Sequence, residues 1–270
     1  MALAQFQIRG KYLMLALDHR ASFLKLMSPD EPTTVSVERA VALKREIIQS
    51  VIDQTSGVLL DLDYGFPAYQ GFTKPFLLPL EKSGYTDQAG ERLTELGYQP
   101  QELKERGAAG VKLLVYFNPR LASARQQVKT AQTAIAQARE QAMPIFVEIV
   151  TYAQPGPEER RDLVLRSLAM MLAERVQPDV WKLEYPGDVA ACGQITSMLG
   201  QTPWILLTRG ETFDNFKTQL KSAVAAGCQG FLAGRALWQD GLGLVGDQRG
   251  DFFQGVLPQR FRQLVEVVGG

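Results

Sequence analysis

The chain has 270 residues, of which 46% are apolar and 21% are charged. This length is close to the about 250 residues of a (β/α)₈ barrel, so we expect a single domain that spans residues 1–270. Basic and acidic residues number 29 each, which leaves no net charge. A neutral chain lacks the excess cation on which nucleic-acid and membrane-surface binding depend, so neither partner is expected.

The sequence contains one histidine, His19, and two cysteines, Cys192 and Cys228. So few imidazole and thiol groups almost exclude a metal site built on them, and they exclude a Ser-His-Asp triad unless His19 is its base. Both cysteines lie in stretches that we interpret as helical, where they would be reduced packing thiols. The first ten residues lack the apolar segment of a signal peptide, and no apolar run reaches the about 18 residues of a membrane span, so we expect a cytoplasmic protein.

Short apolar runs alternate with longer helical runs along the chain. Eight runs have the composition of strands buried on both faces: 12–18, 57–63, 76–81, 110–117, 145–152, 180–186, 204–210 and 230–236. Helices are predicted over 35–54, 121–142, 157–176, 211–226 and 257–268. This alternation indicates a parallel sheet with both faces covered, and eight repeats favour a closed TIM barrel of the α/β class over an open sheet.

Three segments, 19–34, 64–75 and 82–100, are irregular, and each follows a predicted strand. Loops in that position carry the active site of a barrel enzyme, so we expect these segments at the functional end. A phosphate-binding GxxxxGK[ST] loop is absent. The run GLGLVG at 241–246 lacks the strand-turn-helix context of a dinucleotide-binding motif. No cofactor is therefore expected.

Ionisable residues interrupt predicted strands, although an unpaired charge in a packed barrel core is costly. Lys112, Glu148 and Lys182 lie on strands four, five and six, so their side chains converge if all three point inward. A second cation and partial desolvation both lower the pKa of a lysine, which frees an amine to attack a carbonyl, and a neighbouring carboxylate can transfer protons. The alternative interpretation is a buried ion network that only holds the barrel together.

Charged residues also end the first two strands. Asp61 and Asp63 are two residues apart at the end of strand two, where they either contact substrate, cap loop amides or pair with a lysine. His19 either forms a hydrogen bond within its loop or contacts a substrate hydroxyl, in which case its near-neutral pKa would make binding sensitive to pH. Arg20 and Lys74 follow strands one and two and are candidates for the far end of a substrate, on position alone.

The segments after strands seven and eight resemble a phosphate site. Strand seven ends in Thr208, Arg209 and Gly210, and strand eight ends in Gly234 and Arg235. These loops commonly bind phosphate in barrels, because glycine lets the backbone approach the anion and an arginine adds charge-assisted hydrogen bonds. Ordinary tight turns, with Arg235 on the surface, are the alternative.

Six segments of the sequence resemble one enzyme family, and the resemblance extends from about residue 12 to about residue 240. They read LALDHR, GVLLDLDYG, GVKLLVYFNP, FVEIVTY, WKLEYPG and GFLAGRALWQD. The family is that of the class I tagatose-1,6-bisphosphate aldolases, together with related aldolases of sulfofructose phosphate. Its members are (β/α)₈ barrels that cleave phosphorylated ketohexoses without a metal, through a Schiff base.

The resemblance implies a role for each matching residue. Lys182 matches the Schiff-base lysine, Glu148 the acid/base carboxylate, Lys112 a second active-site lysine, and Asp18 an aspartate that contacts substrate hydroxyls. The phosphate on carbon 1 would be bound at Thr208, Gly210, Gly234 and Arg235. The sequence departs from the family at His19, where glutamine is usual, and at Arg209, where the turn ordinarily reads Ser-Ala-Gly.

We therefore expect a metal-independent class I aldolase that cleaves a phosphorylated ketohexose, such as tagatose 1,6-bisphosphate, into dihydroxyacetone phosphate and a three-carbon aldehyde. One alternative is an aldolase of the sulfofructose-1-phosphate or deoxyribose-phosphate type on the same barrel. Another is a barrel without catalysis that binds a sugar phosphate and regulates a partner. A homo-oligomer is the starting assumption for a soluble enzyme of this kind.

Overall fold

The computed structural model describes residues 3–152 and 157–269. Eight parallel strands within these ranges close into a barrel. They are β1 (Tyr12–Leu17), β2 (Gly57–Leu60), β3 (Phe76–Pro79), β4 (Gly110–Phe117), β5 (Ile145–Thr151), β6 (Val180–Leu183), β7 (Trp204–Leu207) and β8 (Gly230–Ala233). This closed parallel barrel confirms the predicted fold class.

Helices surround the barrel and form most of the connections. They are α1 (Ala21–Met27), α2 (Val37–Val51), α3 (Gly65–Ala68), α4 (Pro100–Glu105), α5 (Ala124–Glu140), α6 (Pro157–Ala173), α7 (Val189–Leu199), α8 (Phe213–Ala225), α9 (Arg235–Trp238), α10 (Gly246–Asp251) and α11 (Leu257–Val268). Side chains cap the N-termini of α2 and α8: the Ser36 hydroxyl accepts a hydrogen bond from the Arg39 N–H, and the Thr212 hydroxyl accepts one from the Asn215 N–H. Within the described ranges, none of these helices combines the length and the apolarity needed to cross a bilayer.

The structure differs from the predicted elements at several ends. Strands β2, β6, β7 and β8 each end three residues earlier than predicted, because the ladder of each strand stops where the chain turns away from the barrel wall. The segment 82–100, predicted as irregular, contains an antiparallel hairpin formed by Thr86–Gln88 and Glu91–Leu93. Cys228 was expected in a helix but lies in the turn between α8 and β8, since Gly227 adopts a left-handed φ of 102° after the helix ends.

The barrel has an inner core that supports the functional end from below. It is formed by alternate residues of the strands and by Phe6 from the N-terminal segment: Tyr12, Met14, Ala16, Leu59, Leu77, Phe146, Val180, Ile205 and Leu232. The Phe6 ring contacts the Phe146 ring edge-on at 5.5 Å, which closes the amino-terminal end of the barrel. A separate and larger core lies between the outer faces of the strands and the helices. The charged side chains of the inner barrel wall, Lys112, Glu148 and Lys182, lie beyond this core, at the carboxyl end.

Candidate active site

A cavity of about 510 Å³ opens at the carboxyl ends of the strands. This volume is within the range of small-molecule sites, and the position is where barrel enzymes place their chemistry. Most of the residues singled out from the sequence line it: Asp18, His19, Arg20, Lys112, Glu148, Lys182, Thr208, Arg209, Gly234 and Arg235. The predicted convergence of Lys112, Glu148 and Lys182 is therefore present in the structure.

Lys182 and Glu148 form the closest pair at the floor of the cavity. They are direct partners in the register of β5 and β6, and each follows an inner-core residue two positions earlier, Val180 and Phe146. Period-two alternation therefore turns both side chains inward. The Lys182 Nζ donates to Glu148 Oε2 at 2.8 Å, and both residues are buried. An amine and a carboxylate thus share one hydrogen bond at a face open to ligand.

Lys112 lies beside this pair but has a different environment. Its ammonium is in contact with Glu81 Oε1 at 2.6 Å, Asp18 Oδ2 at 2.9 Å and Glu148 Oε2 at 3.2 Å. Burial lowers the pKa of a lysine, but these three carboxylates outweigh it and hold the pKa of Lys112 well above its usual value. Lys112 is therefore a fixed cation that organises carboxylates, and Glu148 connects it to Lys182.

The three carboxylates respond to this environment differently. Burial favours the protonated form of each, yet Lys182 and Lys112 together hold the pKa of Glu148 below its usual value, and Lys112 holds that of Asp18 well below. At Glu81, burial prevails over Lys112, and the pKa is raised. Two carboxylates are therefore kept ionised, while a third buried one holds its proton more readily.

Glu81 is a site residue that the sequence did not reveal. It follows β3, lines the cavity and accepts a second hydrogen bond from the Leu114 N–H at 3.1 Å. The only available signal was an acidic residue at the end of a predicted apolar strand. The Arg20 side chain is held beside Glu81 by two contacts: its Nη2 donates to the Glu81 carbonyl at 3.2 Å, and its Nη1 lies 3.9 Å from Asp63 Oδ2.

His19 lines the cavity, but its titration differs from the expectation. Burial lowers the pKa of His19 to about 3, with Arg235 and Lys44 adding to this effect against Asp18. The imidazole is therefore neutral near pH 7, which contradicts the pH-sensitive contact, one of the two alternatives for His19. Its ring packs edge-on against Trp238 at 5.2 Å, and its Nδ1 is buried without a hydrogen-bond partner among the described residues.

The proposed phosphate residues meet between β7, β8 and β1. A side chain added at Gly210, whose φ is 77°, would begin 3.3 Å from the Arg235 guanidinium carbon. One added at Gly234 would begin 2.9 Å from the His19 ring. Gly210 therefore leaves open the space beside Arg235, whereas Gly234 lets the His19 ring approach the backbone, and Thr208 is buried in the same wall. The arrangement suits an anion that approaches the backbone closely.

Arg209 is held at the rim by groups outside the cavity. Its guanidinium contacts Glu184 Oε1 at 2.8 Å and donates to the Thr151 carbonyl at 2.8 Å. Burial raises the pKa of Glu184 to about 7, although Arg209 and Thr151 oppose it. Because its charge is already paired, Arg209 has less to offer a bound anion than the sequence suggested.

Asp61 does not reach the cavity. It is fully buried and pairs with Lys44 of α2, whose ammonium also donates to the carbonyls of Leu17 and His19. The Asp61 carboxylate in addition accepts the N–H groups of the loop that follows it, from Asp63, Tyr64 and Gly65. These contacts assign Asp61 to capping and lysine pairing, one of the alternatives, and not to substrate binding. Lys74, the other candidate for the far end of a substrate, does not line the cavity either.

The hairpin contributes residues that sequence reasoning missed. Arg92 lines the cavity together with Lys82, Ser83 and Gly84. Its guanidinium carbon lies 4.8 Å from the centre of the Tyr85 ring, 5.2 Å from that of Tyr152 and 5.9 Å from that of Tyr116. In the sequence this arginine lay within a segment predicted as irregular, so nothing marked it as a cavity residue.

Metal-binding donors do not cluster in the described part of the chain: no group of three or more histidine, cysteine, aspartate or glutamate side chains there could hold an ion. The carboxylates of Asp18, Glu81 and Glu148 converge, but they surround the Lys112 ammonium. The cavity therefore presents amines, guanidinium groups and carboxylates as its chemical groups, and these suit a polar substrate with a carbonyl and anionic substituents.

Comparison with known proteins agrees with this chemistry. The family model of the DeoC/LacD aldolases matches residues 12–240. A tagatose 1,6-diphosphate aldolase of Listeria monocytogenes (serotype 4a, strain HCC23) is 29% identical over 277 residues, covering 90% of this chain and 82% of that protein. A Staphylococcus epidermidis protein of the same name is 26% identical over 261 residues, covering 83% and 79%.

Solved structures share the fold. An archaeal fructose-1,6-bisphosphate aldolase, whose catalytic lysine is covalently bound to the carbinolamine intermediate of the substrate, has a TM-score of 0.72 at 20% identity and covers 100% of this chain and 98% of its own. The fructose-bisphosphate aldolase of Plasmodium falciparum has a TM-score of 0.72 at 13% identity, with 99% and 93% covered. Because the family match extends over most of the barrel, the chain belongs to the DeoC/LacD family of aldolases, and it is a carbon–carbon lyase.

Proposed function

We propose that the protein cleaves a phosphorylated ketohexose of the tagatose 1,6-bisphosphate kind through a Schiff base on Lys182. The observation that carries the proposal is the Lys182 amine, buried at the floor of the cavity and 2.8 Å from Glu148 Oε2. A lysine in such a place can attack a carbonyl as the neutral amine, with a carboxylate beside it to transfer protons during the reaction. The names of the curated relatives support the substrate class.

The first half of the reaction forms the covalent intermediate. The Lys182 amine adds to the ketone at carbon 2, and the resulting carbinolamine loses water to give an iminium ion. Glu148 then accepts the proton of the hydroxyl on carbon 4. The bond between carbons 3 and 4 breaks, its electron pair moves to the iminium as an enamine, and the three-carbon aldehyde leaves. Asp18 and the fixed Lys112 cation hold the substrate hydroxyls and the carboxylates in place.

The second half regenerates the enzyme. Glu148 returns its proton to carbon 3 of the enamine, which restores the iminium ion. Water then adds to the iminium carbon, and the carbon–nitrogen bond breaks to release dihydroxyacetone phosphate and the free Lys182 amine. Its phosphate would be bound beside Arg235, in the space that Gly210 leaves open. A Schiff base requires no metal, because the iminium nitrogen itself accepts the electron pair.

Trapping with borohydride tests the proposal. Wild-type protein incubated with dihydroxyacetone phosphate and borohydride should carry one stable adduct, located by peptide mass spectrometry on Lys182. The variant Lys182→Ala should carry none and should not cleave tagatose 1,6-bisphosphate, while Lys82→Ala, a change at an exposed lysine on the cavity rim, should be labelled like the wild type. Equal labelling of wild type and Lys182→Ala, or none in either, would contradict the mechanism.

A further inference from the structure

Seven cationic side chains line the cavity, and five of them are paired with carboxylates. Those five are Lys112 with Asp18, Glu81 and Glu148; Lys182 with Glu148; Arg209 with Glu184; Arg20 with Asp63; and Lys82 with Glu95. Over the described residues, the remaining two, Arg92 and Arg235, have no carboxylate within ion-pair distance. The cavity therefore holds two guanidinium groups whose charge is left for a ligand.

Arg92 is fixed in position without being neutralised. Its backbone N–H donates to the Tyr152 hydroxyl at 3.1 Å, and its carbonyl accepts a hydrogen bond from Gln127 Nε2 at 2.8 Å. Its guanidinium lies among the rings of Tyr85, Tyr116 and Tyr152. Cation–π contacts hold an arginine while leaving its N–H groups free for an oxyanion. The guanidinium is therefore held in position and available to an anionic ligand.

The two unpaired arginines lie on opposite sides of the mouth. Arg235 directly follows β8, and the Arg92 guanidinium packs on Tyr116 of β4 and on Tyr152, which follows β5. In the closed strand order, β4 is the strand opposite β8. Lys182, on β6, lies between these two sides. A substrate that spans the mouth can therefore place one anionic group at each arginine and its carbonyl over the lysine.

We propose that Arg92 binds the phosphate at the end of the substrate remote from Arg235, and that it determines the specificity of the cavity for a phosphorylated aldehyde half. This inference rests on the proposed function and assigns its second anion site. Charge-assisted hydrogen bonds from a guanidinium commonly change affinity or rate by about 10- to 100-fold. The kcat/KM for an aldehyde that carries the distal phosphate should therefore depend on Arg92, whereas the kcat/KM for the same aldehyde without phosphate should not.

The test measures kcat/KM in the synthetic direction, with dihydroxyacetone phosphate as donor and either glyceraldehyde 3-phosphate or glyceraldehyde as acceptor. The variant Arg92→Met should lower kcat/KM for the phosphorylated acceptor by about 10- to 100-fold and that for glyceraldehyde by less than about 3-fold. Arg92→Lys, which keeps the charge but not the planar fork, should show a smaller selective loss. Lys82→Met is the matched control, because Lys82 lines the same cavity but is paired with Glu95 at 2.9 Å; it should show no such selectivity.

A loss of equal size for both acceptors, or no loss for either, would overturn the assignment of Arg92. Borohydride trapping of dihydroxyacetone phosphate separates this outcome from a failure of the proposed function, since the trapped half of the substrate lacks the distal phosphate. If both wild type and Arg92→Met form the borohydride adduct at Lys182, but the substitution does not lower kcat/KM selectively for the phosphorylated acceptor, only the assignment of the distal site is wrong. If the wild type does not trap, the Schiff-base mechanism itself is wrong.

Discussion

Lys112 and Lys182 are both buried lysines on the inner barrel wall, yet their surroundings assign them different tasks. Lys112 is surrounded by Asp18, Glu81 and Glu148, which stabilise its charged form, whereas Lys182 is in contact with Glu148 alone among the described acidic residues. A lysine held charged by three carboxylates is a poor nucleophile, because only the neutral amine attacks a carbonyl. The contacts therefore favour Lys182 as the nucleophile and leave Lys112 as an electrostatic support.

Glu148 is the group through which protons would pass. The variant Glu148→Gln keeps the shape and one hydrogen-bond acceptor but cannot take a proton from Lys182 or from substrate. General acid–base catalysis commonly contributes 10²- to 10⁴-fold. We therefore expect kcat for cleavage of tagatose 1,6-bisphosphate to fall by about 100-fold or more, measured by coupling dihydroxyacetone phosphate release to NADH oxidation.

Glu81→Gln is the control for this prediction, because Glu81 is equally buried and contacts Lys112 but not Lys182. It should lower kcat much less than Glu148→Gln, provided that circular dichroism shows both variants folded. A Glu148→Gln enzyme with wild-type kcat, or a larger loss in Glu81→Gln, would remove Glu148 from the role of proton carrier.

At the scale of elements, the strands were far more predictable from the sequence than the loops at their carboxyl ends. Near-continuous apolar runs marked all eight barrel strands, because strands covered on both faces have few polar positions. The structure of the loops depends on contacts made only after the barrel closes. Glu81 and Arg92 were missed for this reason, and the sequence leaves the role of Asp61 open because its partner Lys44 lies on a helix, 17 residues away.

Glu184 illustrates how one such loop residue connects several elements. It follows β6, accepts hydrogen bonds from the N–H and the hydroxyl of Thr151 at the end of β5, and pairs with Arg209 after β7. Burial raises its pKa from 4.5 to about 7. The folded protein therefore keeps this proton to a higher pH than the unfolded chain does, and stability must depend on pH through this group.

The raised pKa of Glu184 fixes the sign of this dependence. Because the pKa is higher in the folded state, the contribution of Glu184 to the free energy of unfolding decreases as pH rises from about 4.5 to about 7. The variant Glu184→Gln does not titrate, so wild type should lose up to about 3 kcal/mol relative to the variant across this window. Urea unfolding of both proteins at several pH values measures the difference. A difference that stays constant between pH 5 and pH 8, or that changes in favour of wild type as pH rises, would contradict the assigned pKa.

The two ends of the barrel axis differ: one end is packed with apolar side chains, and the other carries the ionisable side chains of the cavity. The amino-terminal end is closed by Phe6 and the inner apolar layers, and the carboxyl end carries the cavity with its lysines, arginines and carboxylates. The zero net charge of the chain therefore conceals a concentration of charge at one end. Composition alone predicted the size of the fold and the scarcity of soft metal donors, but this segregation follows from strand direction, which places every loop after a strand at the same end.

The protein should catalyse without a metal ion, because it has too few available soft donors to hold one. Burial raises the pKa of both Cys192 and Cys228 to about 12, which keeps the two thiols protonated. His19, the single histidine, lines the cavity, but one imidazole does not supply the three or four protein ligands that zinc takes. Prolonged dialysis against EDTA should change kcat for cleavage of tagatose 1,6-bisphosphate by less than about 2-fold. A metal-dependent enzyme would lose far more activity under the same treatment. Activity that disappears in EDTA and returns with added zinc would show that an ion, and not the Lys182 iminium, accepts the electron pair.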